Sequence, residues 1–306
     1  MDGIINVYKE KGYTSFDVVA KLRRILGQKK IGHTGTLDPD ATGVLPICLG
    51  KGTKLVEYLT DKDKEYHAHV KLGITTDTLD ISGKVTSEHE VSVNESDIIQ
   101  VAGEFVGDIL QTPPMYSAIK VGGKKLYELA RKDTTIERAK RPVTIHSLNI
   151  TDIDLTENVF SMYVCVSKGT YIRSLADDIG KKLGCGACLL ELERTRSGTF
   201  LMNDALTISE IEDIVNEKGL DELEKSTVKI PELLKIKSVI LKNEYDDRVH
   251  NGNTITDDMY DSYTYETDKA CINTGENDLA VFYSDGTFAA IYRKDEDIYK
   301  VLKMFY

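Results

Sequence analysis

Apolar positions along the chain change period several times, and the changes mark out the elements. Residues 4–8, Ile-Ile-Asn-Val-Tyr, read as a short strand. Phe16, Val18, Val19, Leu22, Ile25 and Leu26 then recur at helical spacing, opened by Thr14 with Asp17 three residues later and closed by Gly27. The unbroken apolar run at 44–49 predicts a strand, and 51–59 a helix. Residues 65–72 alternate strictly: Tyr66, Ala68, Val70 and Leu72 share one face and His67, His69 and Lys71 the other, as in a half-buried strand. Asn94 caps a helix running through Phe105, and Pro113-Pro114 ends the segment after it. Paired strands at 143–153 and 159–166 precede a helix from near Thr170 to about Leu183, a strand at 187–192 and an acidic amphipathic helix at 205–217. From about Lys235 short alternating runs dominate: Asn251-Gly252 marks a turn, and 279–283 and 288–292 flank Ser284-Asp285-Gly286 as a hairpin. Helices and strands both recur along the chain, and the fold class expected is α+β.

One stretch fits neither period. Ile31-Gly32-His33-Thr34-Gly35-Thr36-Leu37-Asp38-Pro39-Asp40-Ala41-Thr42-Gly43 holds three glycines and a proline in thirteen residues, which rules out regular structure and predicts a shaped loop. Asp38, before Pro39, is its centre. As a plain turn, Asp38 would cap its own backbone. As a phosphate loop, Gly27 to Thr34 would need a lysine where His33 stands and a strand before it instead of a helix, so that reading fails.

Charge first argues against a nucleic-acid partner, because the chain carries a net −11. Its distribution changes the picture: 201–306 holds 23 acids against 12 bases, whereas 120–141 holds eight Lys+Arg against three Asp+Glu, interleaved with Tyr127 and two glycines. Basic residues with aromatic and flexible neighbours suit a phosphate backbone. A length of 306 residues suggests two domains. No apolar run approaches the roughly 20 residues a membrane span needs, and the N-terminus lacks a secretory pattern, so a cytoplasmic location is expected. The five cysteines argue against a disulfide framework. Cys185 and Cys188 have metal spacing without a second pair, and His67 and His69 lack a third ligand, so no metal site is expected.

The stretch at 32–45 resembles the signature loop of the TruB-type tRNA pseudouridine synthases. The likeness continues in order through Lys64-Glu65-Tyr66, Leu72-Gly73, Thr76-Asp77-Thr78, Pro114-Met115-Tyr116-Ser117-Ala118, Gly123-Lys124-Lys125-Leu126-Tyr127-Glu128 and Ser167-Lys168-Gly169-Thr170-Tyr171-Ile172-Arg173. It is strong over residues 1–200 and weak beyond. It implies a mixed-sheet catalytic domain at 1–234, with an RNA-clamping insertion at about 120–141, followed by a small β-rich PUA-like domain at 235–306.

The resemblance makes Asp38 the catalytic residue. A cation in the first turn of a helix gains nothing from the helix dipole, so Arg173 is expected to sit there for a partner, and the family names Asp38. Tyr66 would receive the target base, Leu192 line its pocket and His33 fill the space the base leaves; Lys9 completes the substrate-binding set. Lys124, Lys125, Arg131, Arg141, Arg194 and Arg196 are the candidate RNA contacts. Glu193 interrupts the two basic residues that commonly follow Leu192 in the family, so Arg196 is a candidate replacement. The implied reaction isomerises the T-loop uridine of tRNA at position 55, without cofactor or guide RNA, in a stand-alone monomer. A noncatalytic RNA-binding protein on the same fold is one alternative. A hydrolase using Asp38 with Asp40 is another, but lacks a His or Ser partner at suitable spacing.

Overall fold

The computed structural model describes residues 1–132, 134, 136–265 and 267–306, and the side chain of Lys125 lies outside what is described. The chain begins β1 (Gly3–Lys9), α1 (Ser15–Ile25), β2 (Ile31–His33) and β3 (Thr42–Leu49). Thr14 and Asp17 form the expected reciprocal cap on α1: the Asp17 amide donates to Thr14 Oγ1 and the Thr14 amide to Asp17 Oδ2. β1 and β3 pair antiparallel along their whole lengths. Leu45, Ile47 and Leu49 face one hydrophobic cluster while Val44 and Cys48 face another. Burial on both faces is why 44–49 is continuously apolar.

Next come α2 (Val56–Thr60), β4 (Lys64–Leu72), the hairpin β5 (Ile74–Thr76) and β6 (Val85–Glu88), α3 (Glu95–Gly103), β7 (Gly107–Gln111), the small ribbon β8 (Lys120–Val121) and β9 (Lys124–Lys125), and α4 (Leu126–Ala130). β10 (Arg141–Asp154), β11 (Val159–Val166), α5 (Ile172–Leu183), β12 (Ala187–Ser197), β13 (Phe200–Leu201), α6 (Ile208–Lys218), α7 (Leu220–Glu224) and β14 (Thr227–Val228) complete a ten-stranded mixed sheet. Its order is β14-β1-β3-β12-β4-β11-β10-β7, with β2 on β3 and β13 on β12. The parallel contact of β3 with β12 is the seam of the sheet, and it spans two residue pairs, Thr42 with Glu193 and Gly43 with Arg194. Gly43 permits it: its φ is +104°, and a Cβ there would stand 2.2 Å from the Arg194 carbonyl oxygen.

β15 (Lys237–Leu241), α8 (Asp246–His250), β16 (Tyr260–Ser262), β17 (Leu279–Phe282), β18 (Phe288–Asp295) and β19 (Ile298–Met304) follow, the strands forming a five-stranded sheet in the order β16-β15-β17-β18-β19. It packs behind the β1/β3 end of the large sheet: Ile4, Val44 and Cys48 share a cluster with Phe282, Ile291 and Phe305. The β4/β11 end is left open at the back, so β4 alternates between core and solvent as its sequence predicts.

Two local expectations change. Residues 31–33 are a strand, because pairing with Leu49, Cys48 and Ile47 outweighs the cost of Gly32. Residues 50–55 form a 3-10 turn before the short α2, since Gly50 and Gly52 weaken an α-helix there. The expected Asn251-Gly252 turn is present and ends α8. Among the described residues no helix is long and apolar enough to cross a membrane.

Candidate active site

The loop at 34–41 emerges beside the seam, and short-range ties fix its shape. Leu37 and Ala41 are buried anchors. Ser15 Oγ accepts from the Leu37 amide at 2.9 Å and donates to its carbonyl at 3.3 Å, while the Ala41 amide closes a turn onto Asp38 O. Lys9 is wholly enclosed, and its ammonium donates to the carbonyls of Glu10, Tyr13 and Pro39 at 3.1, 2.7 and 3.1 Å. Burial pulls its pKa down to about 8 against the pull of Asp38 and Asp40. Lys9 stands behind the loop as its staple, and its protons are taken by the backbone.

What the loop presents is Asp38, and it meets Arg173 from the first turn of α5. Arg173 Nη2 lies 2.9 Å from Asp38 Oδ2 and donates to Tyr116 O at 2.9 Å; Nη1 donates to Thr78 O at 3.0 Å and lies 3.5 Å from Asp80 Oδ2. The guanidinium side chain is 6% exposed and Asp38 is 45% exposed, so the cation is walled in while the carboxylate opens onto the cleft. Crowding by the cleft walls raises the Asp38 pKa above the ordinary carboxylate value; Asp80 adds to the rise, and Arg173 and Lys9 oppose it.

Asp80 escaped the sequence reading. Leu79 before it has φ +64°, a conformation costly for a branched residue, and the turn is held in place because Leu79 O and Leu189 O accept from the amides of Leu189 and Ile81. That strained turn aims both Thr78 O and the Asp80 carboxylate at Arg173. The one local signal was the dense hydroxyl and acid run at 75–80.

Asp38 and Arg173 border a cleft of about 640 Å³ that Tyr66, Leu192, Tyr171, Lys64 and Arg194 also line. Tyr66, Leu192 and Arg194 are thus brought to the pair. Arg194 is 1% exposed; its Nε donates to Val44 O at 2.6 Å, and its Nη2 has no hydrogen-bond partner among the described residues. Lys64, also missed in sequence because it reads as a strand-edge cation, is buried with its pKa lowered to about 8, donating to Thr60 O and Lys62 O. Tyr171, quoted above only as part of a motif, has its hydroxyl pKa raised by burial. His33 is half-buried on β2 with Nδ1 at 3.2 Å from Gly35 O, off the cleft lining. Arg141 is exposed at the cleft mouth, and Lys124 and Arg131 are exposed on the β8–α4 segment, Arg131 stacked over Tyr127.

Arg196 does not reach the cleft. β12 bulges between Arg194 and Arg196, so Arg194 pairs with Tyr66 and Arg196 with Glu65, on opposite faces. Arg196 Nε donates to Glu65 Oε2 at 3.1 Å on the open back of the sheet. Glu193 accepts from the Tyr8 hydroxyl at 2.6 Å. On the same back face His67 stacks on Tyr163 and His69 Nδ1 meets Ser161 Oγ at 2.8 Å. Cys185 and Cys188 are buried free thiols, and among the described residues no three His, Cys, Asp or Glu side chains are grouped to hold a metal. Among the described residues no histidine or cysteine lines the cleft, and Asp40 does not line it either. One accessible carboxylate, charge-balanced from behind and facing an aromatic wall, is equipped to attack carbon or to take a proton.

Residues 23–172 match the family described as TruB family pseudouridylate synthase, N-terminal domain, and residues 173–242 match the tRNA pseudouridylate synthase B C-terminal domain. The chain is 46% identical over 313 residues to a tRNA pseudouridine synthase B of Lachnoclostridium phytofermentans, each covered in full. It is 40% identical over 305 residues to one of Clostridium perfringens, with 99% of each chain covered. A solved Cbf5-Nop10-Gar1 complex contains a chain that superimposes with a TM-score of 0.70 at 28% identity, covering 99% of this chain and 85% of that one. An H/ACA RNP bound to a substrate RNA containing 2′-deoxyuridine gives 0.70 at 26%, with the same coverage.

Proposed function

The chain belongs to the TruB family of pseudouridylate synthases and is a tRNA pseudouridine synthase; on that premise we propose that it acts on the T-loop uridine of tRNA, conventionally position 55, with Asp38 as the reacting residue. The bond from ribose C1′ to uracil N1 breaks, the base turns, and C1′ bonds to C5, whose proton moves to N1. Atoms and electrons balance within the substrate, so the reaction calls for no cofactor. Asp38 attacks C1′ or takes a sugar proton, and both roles need it ionised. Arg173 favours that form against the burial that opposes it.

A stacked uridine is out of reach of Asp38, so the nucleotide is flipped into the cleft at a cost of a few kcal/mol. Tyr66 offers the ring face that receives it, Leu192 the apolar wall, and His33 packs where the base has left. Arg194, buried in the cleft wall, adds positive charge there, and the exposed Arg141 at the mouth suits RNA phosphates. The segment 120–141, with Lys124, Lys125 and Arg131, clamps the T-arm. The enzyme works in the cytoplasm as a stand-alone monomer without guide RNA, its catalytic unit at 1–234 followed by a PUA-like RNA-binding unit at 235–306.

The observation that carries this reading is the 2.9 Å Asp38–Arg173 pair opening onto the cleft beside Tyr66. A protein that only held RNA would gain nothing from keeping that pair with Asp80 behind it. The test is to incubate unmodified tRNA with the protein and map pseudouridine chemically. A single modified T-loop position is expected; modification confined to another arm would reject the assigned target.

A further inference from the structure

A second cavity, of about 470 Å³, lies outside the cleft and falls within the roughly 300–1,000 Å³ that small ligands occupy. Three stretches of chain enclose it: the β5–β6 hairpin, the end of α5 and the loop leading into β12. Apart from Leu79 and two glycines, every residue lining it is polar. Thr75 Oγ1 lies 2.9 Å from Thr86 Oγ1 and bonds to Ser87 Oγ, which lies 3.1 Å from His89 Nε2. Gly186 lets the loop close on this hydroxyl row: its φ is +71°, and a Cβ there would stand 2.7 Å from Thr75 Cγ2. Asp177 joins the lining from α5, one turn after Arg173. Its side chain is 8% exposed, and the cation paired with it is Lys181, 64% exposed, from the next turn.

Charge narrows the occupant. A carboxylate this enclosed needs a cation, because burying it unpaired is costly. The dipole of α5 turns its negative end to the cavity at Gly184, and the stretch 77–90 around the hairpin carries Asp77, Asp80, Glu88 and Glu90 against Lys84. An anion is therefore disfavoured. A metal ion would lack ligands, since among the described residues no three His, Cys, Asp or Glu side chains are grouped to hold one. An organic ammonium meets each condition: its N–H groups can pair with the Asp177 carboxylate as Lys181 Nζ does, while the hydroxyl oxygens accept the rest.

The cavity also touches the turn behind the catalytic pair. Leu79, with φ +64°, lines it, and so does Thr76, whose hydroxyl donates to Asp80 O at 2.7 Å. An occupant packed against Leu79 removes the space into which that strained turn could relax, and so keeps Thr78 O and Asp80 on Arg173. We propose that the cavity is a binding site for a small aliphatic ammonium, seated on Asp177 in place of Lys181, and that its occupancy favours the catalytic arrangement of Asp80 and Arg173. The proposal does not depend on which uridine of tRNA is modified.

The test titrates the full chain, free of RNA, with 1,4-diaminobutane in a calorimeter, with 1,4-butanediol and succinate as uncharged and anionic controls of matching length. The unsubstituted protein should bind the diamine and neither control. Asp177→Asn should weaken binding about tenfold or more, by loss of a charge-assisted hydrogen bond. Lys181→Ala removes the internal competitor and should tighten it about threefold or more. Because Lys181 is mostly exposed, this second variant decides the site even if Asp177→Asn fails to fold. Saturating diamine should raise the single-turnover rate of pseudouridine formation in unmodified tRNA about twofold, with half the effect reached at a lower diamine concentration in Lys181→Ala. Equal affinity in all three proteins, butanediol or succinate bound as tightly as the diamine, or an equal response to Mg²⁺ would overturn the site. An unchanged rate, or the same half-effect concentration in both proteins, would overturn the coupling.

Discussion

Replacing Arg173 with alanine removes the cation that, among the described residues, touches both Asp38 and Asp80. It also strips Thr78 O and Tyr116 O of their donor. Deleting one partner of a buried charge pair costs about 3–5 kcal/mol. Asp38 opens onto the cleft, where water recovers part of that, so the lower end, about 3 kcal/mol, is the better figure. If the loss fell wholly on the reactive geometry, product formation would slow by about a hundredfold, at 1.36 kcal/mol per factor of ten. The share that falls on folding would instead lower the thermal midpoint by several degrees. pH separates the causes. Burial and Asp80 push the Asp38 pKa up and Arg173 pulls it down, so without Arg173 the acidic limb of the rate profile moves to higher pH, and activity at pH 6 falls more than at pH 8. The walled-in Arg173 has its donors turned to protein groups, so tRNA affinity should change by less than about threefold. Single-turnover rates across pH, with filter binding of the same tRNA, test this. A large loss of affinity with an unmoved acidic limb would make Arg173 a phosphate contact and refute the reasoning.

Tyr66→Leu keeps an apolar wall but removes the ring face, and stacking of a base on an aromatic is worth about 1–3 kcal/mol. Product formation should drop roughly tenfold or more with tRNA binding nearly intact; an unchanged rate would return Tyr66 to a purely core role. Deleting 122–140 removes six Lys and Arg, so tRNA binding should weaken and its salt dependence flatten. An unaltered salt slope would retire the clamp.

Local pattern carried much of this fold. The half-buried β4, the capped α1 and the twice-buried β3 follow from period and caps, because each depends on which side of one element meets the core. The meeting of Arg173 with Asp38 was also legible, from a cation placed where the helix dipole offers it nothing and from the family likeness. What escaped reading depends on distant pairing. β2 exists because β3 offers it an edge. Asp80 reaches Arg173 through a strained Leu79 turn held against β12, more than a hundred residues along the chain. Arg196 shares the parity of Leu192 and Arg194, and strict alternation would place it on their face; the bulge at Thr195 turns it to the back of the sheet.

The central claim is that the carboxylate of Asp38 carries out the reaction. Asp38→Asn keeps the side chain's size and can still accept a hydrogen bond from Arg173, while removing the charge. Measured side by side, tRNA affinity and T-loop pseudouridine should part company: binding within a few-fold of the unsubstituted protein and no product. Product accumulating at a comparable rate in that variant would contradict the account.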